Sequence, residues 1–349
     1  MKPPQNTPPS DPRHKPPPGH SIDPARWLST LPDDWPIGDI NIPGSHNAAA
    51  INTKRSTRWA CQRHSITEQL QKGIRLLDIR LKPKRCRRDA DTPLRRGTGT
   101  PLPREAHAPS YEFVTCHGHL GPFGANEFQH FDSLLEECTA FLNANPRETI
   151  IMTIRIDDWH TTRKIDHPQV LKALQTSLTG LPLLLTSHMP SLKDCRGRIF
   201  LINRINDDHA LGAPINIPDN TPGTTLQPTA QRQYQVYIQD QYKKLNRQNP
   251  EAHKLRLTIE AQEKKSPGTM LLNFASATKP FGRFVYINED LLQYLIEREH
   301  PDEHPDDHTG PRQIGWLLLD YPFGRVKQTT VKQSPLDLAI RIIASNDHP

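Results

Sequence analysis

The alternation of short apolar runs with longer helix-like stretches is the feature that most constrains how this chain can fold. The apolar runs have the length of buried strands and lie at residues 38–42, 74–79, 113–116, 149–154, 199–201, 270–274 and 314–319. Stretches with helical periodicity lie between them, at residues 66–72, 128–143, 167–178, 288–300 and part of 229–246. Strands that alternate with helices in this way form parallel sheets. We therefore predict an α/β fold, a single-domain TIM-barrel-like parallel β/α barrel that could be irregular or incomplete.

Breaks in composition delimit this barrel. The chain has 349 residues, enough for one barrel and an extension. Many of its 35 prolines cluster near the amino terminus, so we expect residues 1–25 to form a disordered Pro-rich tail and residues 26–349 to form the barrel. Proline-rich and charged stretches that interrupt the strand pattern predict insertions at about residues 83–110, 206–228 and 299–311.

A histidine follows the first predicted strand in a tight turn. Residues 42–48 read Ile-Pro-Gly-Ser-His-Asn-Ala, which places His46 directly after an apolar run. An imidazole is well suited to accept a proton from a hydroxyl group near neutral pH and to pass it on. A single histidine among 17 is more often a surface or core residue, so its interpretation depends on partners elsewhere in the chain.

Three further predicted strands end in polar side chains. The second strand leads into Asp78 and Arg80, which share one face because side chains alternate along a strand. His117 follows the third strand, and Asp320 follows the last strand, from where its carboxylate could orient a histidine. For Asp78 and Arg80 a purely structural ion pair is the alternative. Because the carboxyl ends of barrel strands meet at one edge, these strand ends together indicate a catalytic site.

The order of these segments resembles the phosphatidylinositol-specific phospholipase C family, in its bacterial-type, calcium-independent branch. The resemblance spans about residues 36–345 and depends on short segments in a fixed order, at residues 42–48, 65–70, 73–80, 116–118, 145–152, 195–201, 238–242 and 315–321. Each segment is weak by itself, whereas the ordered set is specific. The resemblance implies a barrel enzyme that cleaves phosphatidylinositol into diacylglycerol and inositol 1,2-cyclic phosphate, with the inositol 2-hydroxyl group as the nucleophile.

The resemblance also implies roles for the residues at the strand ends. His46 matches the general base and His117 the general acid, and the chemistry agrees because one imidazole has to be neutral and the other charged. Asp320 matches the carboxylate that orients the base, and Asp78 the carboxylate beside the acid. Arg80 matches the arginine that binds the phosphate, where its planar charged group can neutralise developing negative charge.

Two residues beside the base bear on the metal requirement. Calcium needs several oxygen ligands, and Arg80 places a cation at the strand end where the calcium-using branch supplies such ligands. We therefore expect no metal and no other cofactor, with calcium as the less favoured alternative. Asn47 departs from the pattern, because bacterial-type members usually carry aspartate there and the calcium-using branch has asparagine. An asparagine can hydrogen-bond the arginine or the phosphate, but it supplies no negative charge.

The resemblance implies a headgroup site further along the chain. Arg155 and Arg204 match basic contacts to the inositol ring. Asp240 matches a carboxylate that accepts hydrogen bonds from ring hydroxyls, and Tyr242 matches an aromatic residue that packs against the ring. Each could instead be an exposed charge or ring at a strand end, and an ion pair with the nearby Asp157 or Asp158 is the alternative for Arg155. The lipid could be plain phosphatidylinositol, a phosphorylated form or a glycosylated anchor, and the bacterial-type resemblance favours an unphosphorylated headgroup.

A modest positive charge suits a protein that works at a membrane surface. The chain carries 44 Lys and Arg against 38 Asp and Glu, a net charge of +6. The basic run at residues 54–63 follows the catalytic turn and contains Trp59, and Phe281 lies in a later loop expected at the same rim. Cations attract an anionic bilayer and tryptophan favours its interface, so we predict peripheral membrane contact through these two aromatic residues. In the alternative, Trp59 packs inward beneath a solvated basic face.

Other partners are less clearly indicated. We expect a monomer with no nucleic-acid partner, and the Pro-rich tail could bind a proline-recognising protein domain. The 5 cysteines show no disulfide or zinc pattern, and neither a signal peptide nor a membrane-spanning run is evident. The protein should therefore be soluble, either cytoplasmic or exported by an unrecognised route. Two alternatives to an enzyme stay open: an inositol-lipid-binding barrel that has lost activity, and a basic, Pro-rich interaction scaffold.

Overall fold

Strands and helices alternate along most of the chain. The computed structural model describes residues 22–51, 59–86, 111–119, 125–157, 167–205, 211–279, 283–298, 313–323 and 337–346. The strands are β1 Ile42–Ser45, β2 Leu76–Arg85, β3 Tyr111–His119, β4 Ala125–His130, β5 Ile150–Ile156, β6 Leu183–Leu184, β7 Ile199–Asn203, β8 Ala213–Pro214, β9 Thr224–Leu226, β10 Gln235–Gln239, β11 Thr269–Phe274, β12 Ala277–Lys279, β13 Arg283–Val285 and β14 Trp316–Leu319. The α-helices are α1 Ile66–Gln71, α2 Phe131–Ala144, α3 His167–Ser177, α4 Leu192–Cys195, α5 Pro250–Gln262, α6 Asn288–Arg298 and α7 Asp337–Ala344.

A mostly parallel sheet forms the core of the fold. Its hydrogen-bonded path runs β6-β7-β5-β2-β1-β14-β11-β10-β9, and β3, β4 and β8 attach to the side of this path. All the pairings from β6 to β10 along the path are parallel, and only β9 is antiparallel to its neighbour. This is the parallel β/α architecture that the alternation predicts. Within the described residues the path is not closed between β6 and β9, which corresponds to an incomplete barrel.

Side-chain alternation along the strands separates an inner face from a helix-covered face. On β2, Leu77 and Ile79 pack with α1 and α2 residues in one buried cluster. Leu76 belongs to a second cluster that fills the barrel interior with Ile42 and Trp316. Positions two and four residues after Leu76 point the same way, because the side-chain period of a strand is two. The polar residues of β2 therefore emerge inside the barrel, above an apolar floor.

The third predicted strand is not part of the parallel barrel. β3 runs antiparallel to the outer half of β2, with Leu81 opposite Thr115, and also antiparallel to β4. β2 extends to Arg85 because Leu81 and Pro83 continue its alternation into the part predicted to be an insertion. We refer to the antiparallel ribbon of β3, β4 and the outer half of β2 as the hairpin arm. The inner half of β2 pairs directly with β5.

The helix predicted within residues 229–246 is wrong, because this region contains strand β10 instead. Val236 and Ile238 are buried and alternate with more exposed neighbours, which is the period of a strand. The helix begins later, at Pro250, where the Asn249 side chain accepts a hydrogen bond from the Ala252 backbone N–H at 3.0 Å. In the same way, β4 takes the first residues of the helix predicted at 128–143.

Several predicted segments lie outside the described residues, either wholly or in part. These are most of the Pro-rich tail, residues 87–110 and 206–210 of two predicted insertions, and the whole insertion at 299–311. The remainder of the insertion at 206–228 contains the short strands β8 and β9. Among the helices in the described ranges, none has the length and apolar character needed to cross a bilayer.

Candidate active site

Two adjacent parallel strands bring His46 and Asp320 together. β1 and β14 pair with Ser45 opposite Leu319, so the next residue of each strand emerges at the same level of the sheet. His46 Nδ1 lies 2.8 Å from Asp320 Oδ1, and both residues are buried. The Gln62 side chain ties this edge together by donating from Nε2 to the carbonyl groups of His46 at 2.8 Å and Leu319 at 3.0 Å. The histidine and the carboxylate that the sequence paired are thus in hydrogen-bonding contact.

The second ring nitrogen of His46 faces Arg80. Arg80 Nη2 lies 2.7 Å from His46 Nε2. A guanidinium group can only donate, so Nε2 has to accept this hydrogen bond. The proton of the neutral ring is then on Nδ1, where the Asp320 carboxylate accepts it. This tautomer leaves the Nε2 lone pair directed toward the interior of the site.

Asp78 lies in a buried cluster with two arginines. Its Oδ1 accepts hydrogen bonds from Arg204 Nη1 at 2.5 Å and from the Thr153 hydroxyl at 3.0 Å, and its Oδ2 lies 3.5 Å from Arg80 Nε. Burial alone would raise the pKa of Asp78, but Arg204 and Arg80 outweigh it and hold this pKa well below its usual range. The resemblance implied a position beside the acid, and the charged groups that Asp78 contacts are Arg80 and Arg204. Asp78 therefore forms the structural ion pair that was the alternative, and its carboxylate is close enough to Arg80 to hold the guanidinium group.

His117 reaches the same space from the hairpin arm. The ring centroids of His46 and His117 are 5.9 Å apart, with the ring planes at 88°. His117 Nδ1 lies 2.6 Å from the Trp59 carbonyl oxygen, which can only accept, so Nδ1 carries a hydrogen and Nε2 is left for a ligand. Burial, helped by the positive charge of Arg80, lowers the pKa of His117 to about 4. Without a bound ligand the His117 ring is therefore neutral at pH 7. A bound anion would favour the protonated form of the ring.

Cys61 is a residue of this site that the sequence did not reveal. Its Sγ lies 3.4 Å from His117 Nδ1, and burial together with the negative charge of Asp320 raises the pKa of the thiol well above its usual value. The donor atoms of His46, Cys61 and Asp320 lie within 4.8 Å of one another, which is close enough to hold a metal ion. However, a proton already bridges His46 and Asp320, and the Arg80 guanidinium places a positive charge beside the ring. These side chains are therefore better suited to holding and transferring a proton than to binding a metal ion.

Asn47 follows the base in a left-handed backbone conformation, with a φ of 44°. Its backbone N–H donates to Asp78 Oδ2 at 3.1 Å. Its side chain is buried, and within the described part of the chain neither Oδ1 nor Nδ2 has a hydrogen-bond partner. The hydrogen bond to an arginine that the sequence allowed is absent from these residues. Since buried amides are nearly always hydrogen-bonded, this amide is suited to meet a ligand.

The two arginines of the predicted headgroup site lie on neighbouring strands. Arg155 is the more exposed of the two and pairs through Nε with Asp157 Oδ1 at 2.8 Å, which is the alternative that the sequence left open. Arg204 directly follows β7 and is buried beneath the site, with its guanidinium carbon 5.5 Å from the centre of the Phe274 ring. The Arg155 side chain is therefore accessible from solvent, whereas the buried Arg204 side chain is engaged by Asp78.

The other two headgroup candidates directly follow β10. Burial raises the pKa of Asp240, against the opposing influence of the cations Arg204, Lys254 and Arg80. The Tyr242 hydroxyl donates to Asp219 Oδ1 at 2.7 Å, and its ring is only partly buried. Asp240 thus faces the same group of charges as Arg204, and Tyr242 lies nearer the surface.

Of the two aromatic residues predicted to contact a membrane, Trp59 lies within the described residues. Trp59 is partly buried, with its ring centroid 6.3 Å from that of His117. Its indole also covers Gly118, where an added Cβ would come within 2.6 Å of the ring. This packing agrees with the inward alternative for Trp59, although part of the side chain stays exposed. Phe281 and residues 52–58 of the basic run lie outside the described residues.

Comparison with known proteins connects this site to one family. Residues 35–205 match the family model for phosphatidylinositol-specific phospholipase C, X domain. The matched range includes β1 to β7, and therefore both histidines and the Asp78–Arg80–Arg204 cluster. Asp320, Asp240 and Tyr242 lie beyond it.

Two bacterial relatives align over most of the chain. The chain is 24% identical over 320 residues to the 1-phosphatidylinositol phosphodiesterase of Staphylococcus aureus (strain Newman), covering 86% of this chain and 89% of that protein. It is also 24% identical over 335 residues to the Listeria monocytogenes protein of the same name, covering 90% and 86%.

Solved structures show the same fold. The structure matches that of an S. aureus phosphatidylinositol-specific phospholipase C with a TM-score of 0.66 at 19% identity, covering 93% of this chain and 98% of that one. The Listeria monocytogenes enzyme gives a TM-score of 0.58 at 20% identity, covering 93% and 99%. Another S. aureus structure, from work on the modulation of its membrane binding, gives 0.65 at 20% identity, covering 93% and 97%. These likenesses confirm the TIM-barrel-like fold. The match at residues 35–205 identifies this part of the chain as an X domain of the phosphatidylinositol-specific phospholipase C family.

Proposed function

We propose that this protein is a phosphatidylinositol phosphodiesterase that releases diacylglycerol and inositol 1,2-cyclic phosphate at a membrane surface. The observation that carries this proposal is the facing pair of histidines, which have 5.9 Å between their ring centroids and different hydrogen-bond partners. The aligned S. aureus and L. monocytogenes relatives are named 1-phosphatidylinositol phosphodiesterases, which supports the same substrate.

His46 is the general base in this proposal. Its Nε2 lone pair accepts the proton of the inositol 2-hydroxyl group after the phosphate has drawn the Arg80 guanidinium away from the ring. Asp320, on Nδ1, stabilises the imidazolium that forms. The 2-oxygen then bonds to phosphorus while the bond from phosphorus to the glycerol oxygen breaks.

His117 supplies the proton that the departing glycerol oxygen requires. The Trp59 carbonyl holds the Nδ1 hydrogen, so the proton is donated from Nε2. With a pKa of about 4 in the protein alone, His117 is rarely charged at neutral pH. The negative phosphodiester raises this pKa when it binds, and the acid is therefore charged mainly when substrate is present.

Arg80 neutralises the charge that builds on the phosphate oxygens, and the Asp78–Arg204 pair keeps its guanidinium in place. The unpartnered amide of Asn47 is a further contact for the phosphate. Arg155, Asp240 and Tyr242 hold the inositol ring from the other side, with an unphosphorylated headgroup as the expected ligand.

The proposed reaction needs no metal ion. The carboxylate of Asp78 is already paired with two arginines and is therefore not free to bind a metal ion. A divalent cation placed there would meet Arg80 and Arg204 at short distance, which is electrostatically unfavourable.

Membrane contact is the setting for this chemistry, because the substrate is a lipid. We propose that Trp59 and Phe281 touch the bilayer at the rim of the site, that the protein acts as a monomer, and that residues 1–25 can recruit a protein partner. The membrane-binding work on the S. aureus relative supports peripheral contact.

A vesicle assay tests the proposal. Vesicles that contain phosphatidylinositol should yield inositol 1,2-cyclic phosphate, detected by phosphorus NMR, with the wild type but not with His46→Ala or His117→Ala. Equal rates with added calcium and with a chelator are expected. Loss of activity in chelator alone would contradict the metal-free mechanism. Vesicle binding without any release would instead favour an inactive binding module.

A further inference from the structure

Lys254 is a fully buried lysine that the proposed mechanism does not use. It lies on α5, where its neighbours Leu257 and Ala261 are apolar, and none of its surface is exposed to solvent. An unpaired ammonium group in such a position is costly, so buried lysines are rare and normally have dedicated partners. Burial lowers the pKa of Lys254 to about 7, in spite of the opposing influence of Asp240 and Asp320.

The ammonium group of Lys254 is bonded to the end of β10. Its Nζ donates to Gln239 Oε1 at 2.9 Å and to the Gln241 carbonyl oxygen at 2.8 Å. The same Gln239 oxygen accepts from the Gln241 backbone N–H at 2.8 Å, which closes a tight turn around Asp240. Lys254 thus holds both residues that flank Asp240 in the chain.

A second set of hydrogen bonds fixes this turn to β11. Gln239 Nε2 donates to Asn273 Oδ1 at 2.8 Å and to the Phe274 carbonyl oxygen at 3.0 Å. Asn273 in turn donates to the Thr258 carbonyl oxygen of α5 at 2.8 Å. The network is closed within α5, β10 and β11, so a movement of the Lys254 ammonium group would be passed to the segment that carries Asp240 and Tyr242.

We propose that Lys254 is a positioning residue for headgroup recognition: it holds the segment from Gln239 to Tyr242 in the conformation that presents Asp240 to the inositol ring. This inference depends on the proposed function, since headgroup binding is its readout.

Lys265 provides a matched control. It is a second lysine with a buried side chain, and it pairs with Asp39 Oδ1 at 2.5 Å. Asp39 is the last residue of the 3₁₀ helix Ile37–Asp39, which precedes β1 at the end of the barrel opposite to the strand ends that carry the site. Lys265→Met therefore removes a buried ammonium group without touching the site.

The test compares Lys254→Met, Lys265→Met and the wild type by steady-state cleavage of phosphatidylinositol vesicles and by calorimetric binding of myo-inositol. We expect Lys254→Met to raise KM and the inositol dissociation constant about tenfold, with kcat changed less than about threefold. Lys265→Met should lower the unfolding midpoint and leave both constants unchanged. Lys254→Gln keeps an uncharged donor, and a smaller rise in KM is expected from it. This variant also serves if Lys254→Met does not fold.

Wild-type KM in a folded Lys254 variant, or an equal rise in KM for Lys265→Met, would overturn the inference. Absence of cleavage by the wild type would contradict the proposed function itself. In that case, unchanged inositol binding in Lys254→Met or Lys254→Gln would overturn the inference separately.

Discussion

Arg80 donates a hydrogen bond to Nε2 of His46 across 2.7 Å, and this contact determines where the proton of the histidine lies. The arginine thus has two successive tasks. In the free protein it directs the hydrogen of the neutral ring to Nδ1, and when the phosphate arrives it has to leave the ring to bind the phosphate oxygens. The base becomes available at the moment when its substrate is present.

Arg80→Lys tests whether one side chain has to contact both His46 and the phosphate. A lysine keeps the positive charge but lacks the planar fork that reaches the ring and the phosphate together. We expect kcat to fall about 100-fold with little change in stability. Vesicle kinetics measure the rate, and nitrogen NMR of labelled histidine reports the His46 tautomer. A wild-type rate with an altered tautomer would show that the contact is incidental.

Asp320→Asn should reduce kcat by about 10²–10⁴-fold while KM stays near its wild-type value. An amide can donate to Nδ1, which would turn the ring to the opposite tautomer and occupy the Nε2 lone pair with a proton. The same kinetics measured over a range of pH check this result. Asn288, whose side chain donates to the Asp320 carbonyl oxygen at 3.0 Å, offers a comparison through Asn288→Asp, for which a much smaller loss is expected.

Asp78→Asn should destabilise the protein by about 3–5 kcal/mol, because it leaves Arg204 buried without its anion. Urea unfolding measures this loss. Asp157→Asn is the matched change, since Asp157 is more exposed and lies 3.8 Å from Arg80 Nη1, and about 1 kcal/mol is expected. If the two variants lost similar free energies of unfolding, the buried cluster of Asp78 with the two arginines would not be a special source of stability.

Acid should weaken the fold through His117. Its pKa is about 4 in the folded state against an ordinary 6.5, so between these values the unfolded chain binds more protons. The stabilising contribution is complete above pH 6.5 and is lost as the pH falls toward 4. The effect should amount to about 1–3 kcal/mol. Urea unfolding of the wild type and of His117→Gln at several pH values measures it, and identical pH dependence in both would rule it out.

Gly118→Ala should displace the indole of Trp59. Gly118 has a φ of 71°, and a Cβ there would come within 2.6 Å of the ring. Gly180 has a φ of 80° with no atom within 4 Å of its added Cβ, so Gly180→Ala measures the backbone cost alone. We expect the first variant to lose about 1–3 kcal/mol more than the second and to change tryptophan fluorescence. Equal losses would show that Trp59 moves aside without cost.

The contacts that the sequence predicts best are those set by strand register. His46 directly follows β1 and Asp320 directly follows β14, so knowing that these strands are parallel neighbours is enough to bring the two side chains together. The first strand itself was predicted too early, because residues 37–39 form a 3₁₀ helix and β1 spans Ile42–Ser45. Asp78 shows the limit of this reasoning. Its position on the inner face of β2 follows from alternation, but its choice between His117 and Arg204 depends on which strand lies beside β2, and β5 and β7 are more than 70 residues away.

Other contacts leave no pattern in the sequence. Cys61 lies between His117 and Asp320 because an irregular segment crosses the site there, and a single cysteine gives no periodicity to read. Lys254 looks like one of many surface lysines on a polar helix until the helix is packed over β10. The sequence did not predict strand β10, because the glutamines and the tyrosine that alternate with Val236 and Ile238 resemble the polar surface of a helix.

The hairpin arm gives the two histidines different mechanical supports. His46 is anchored between two parallel strands at the centre of the sheet. His117 is carried by an antiparallel ribbon that, among the described strands, joins the sheet through β2. A small rotation of this ribbon about β2 would change the spacing of the two imidazoles while the barrel stays intact. The reach of the acid can thus be adjusted by changes in the arm, without any substitution in the core that holds the base.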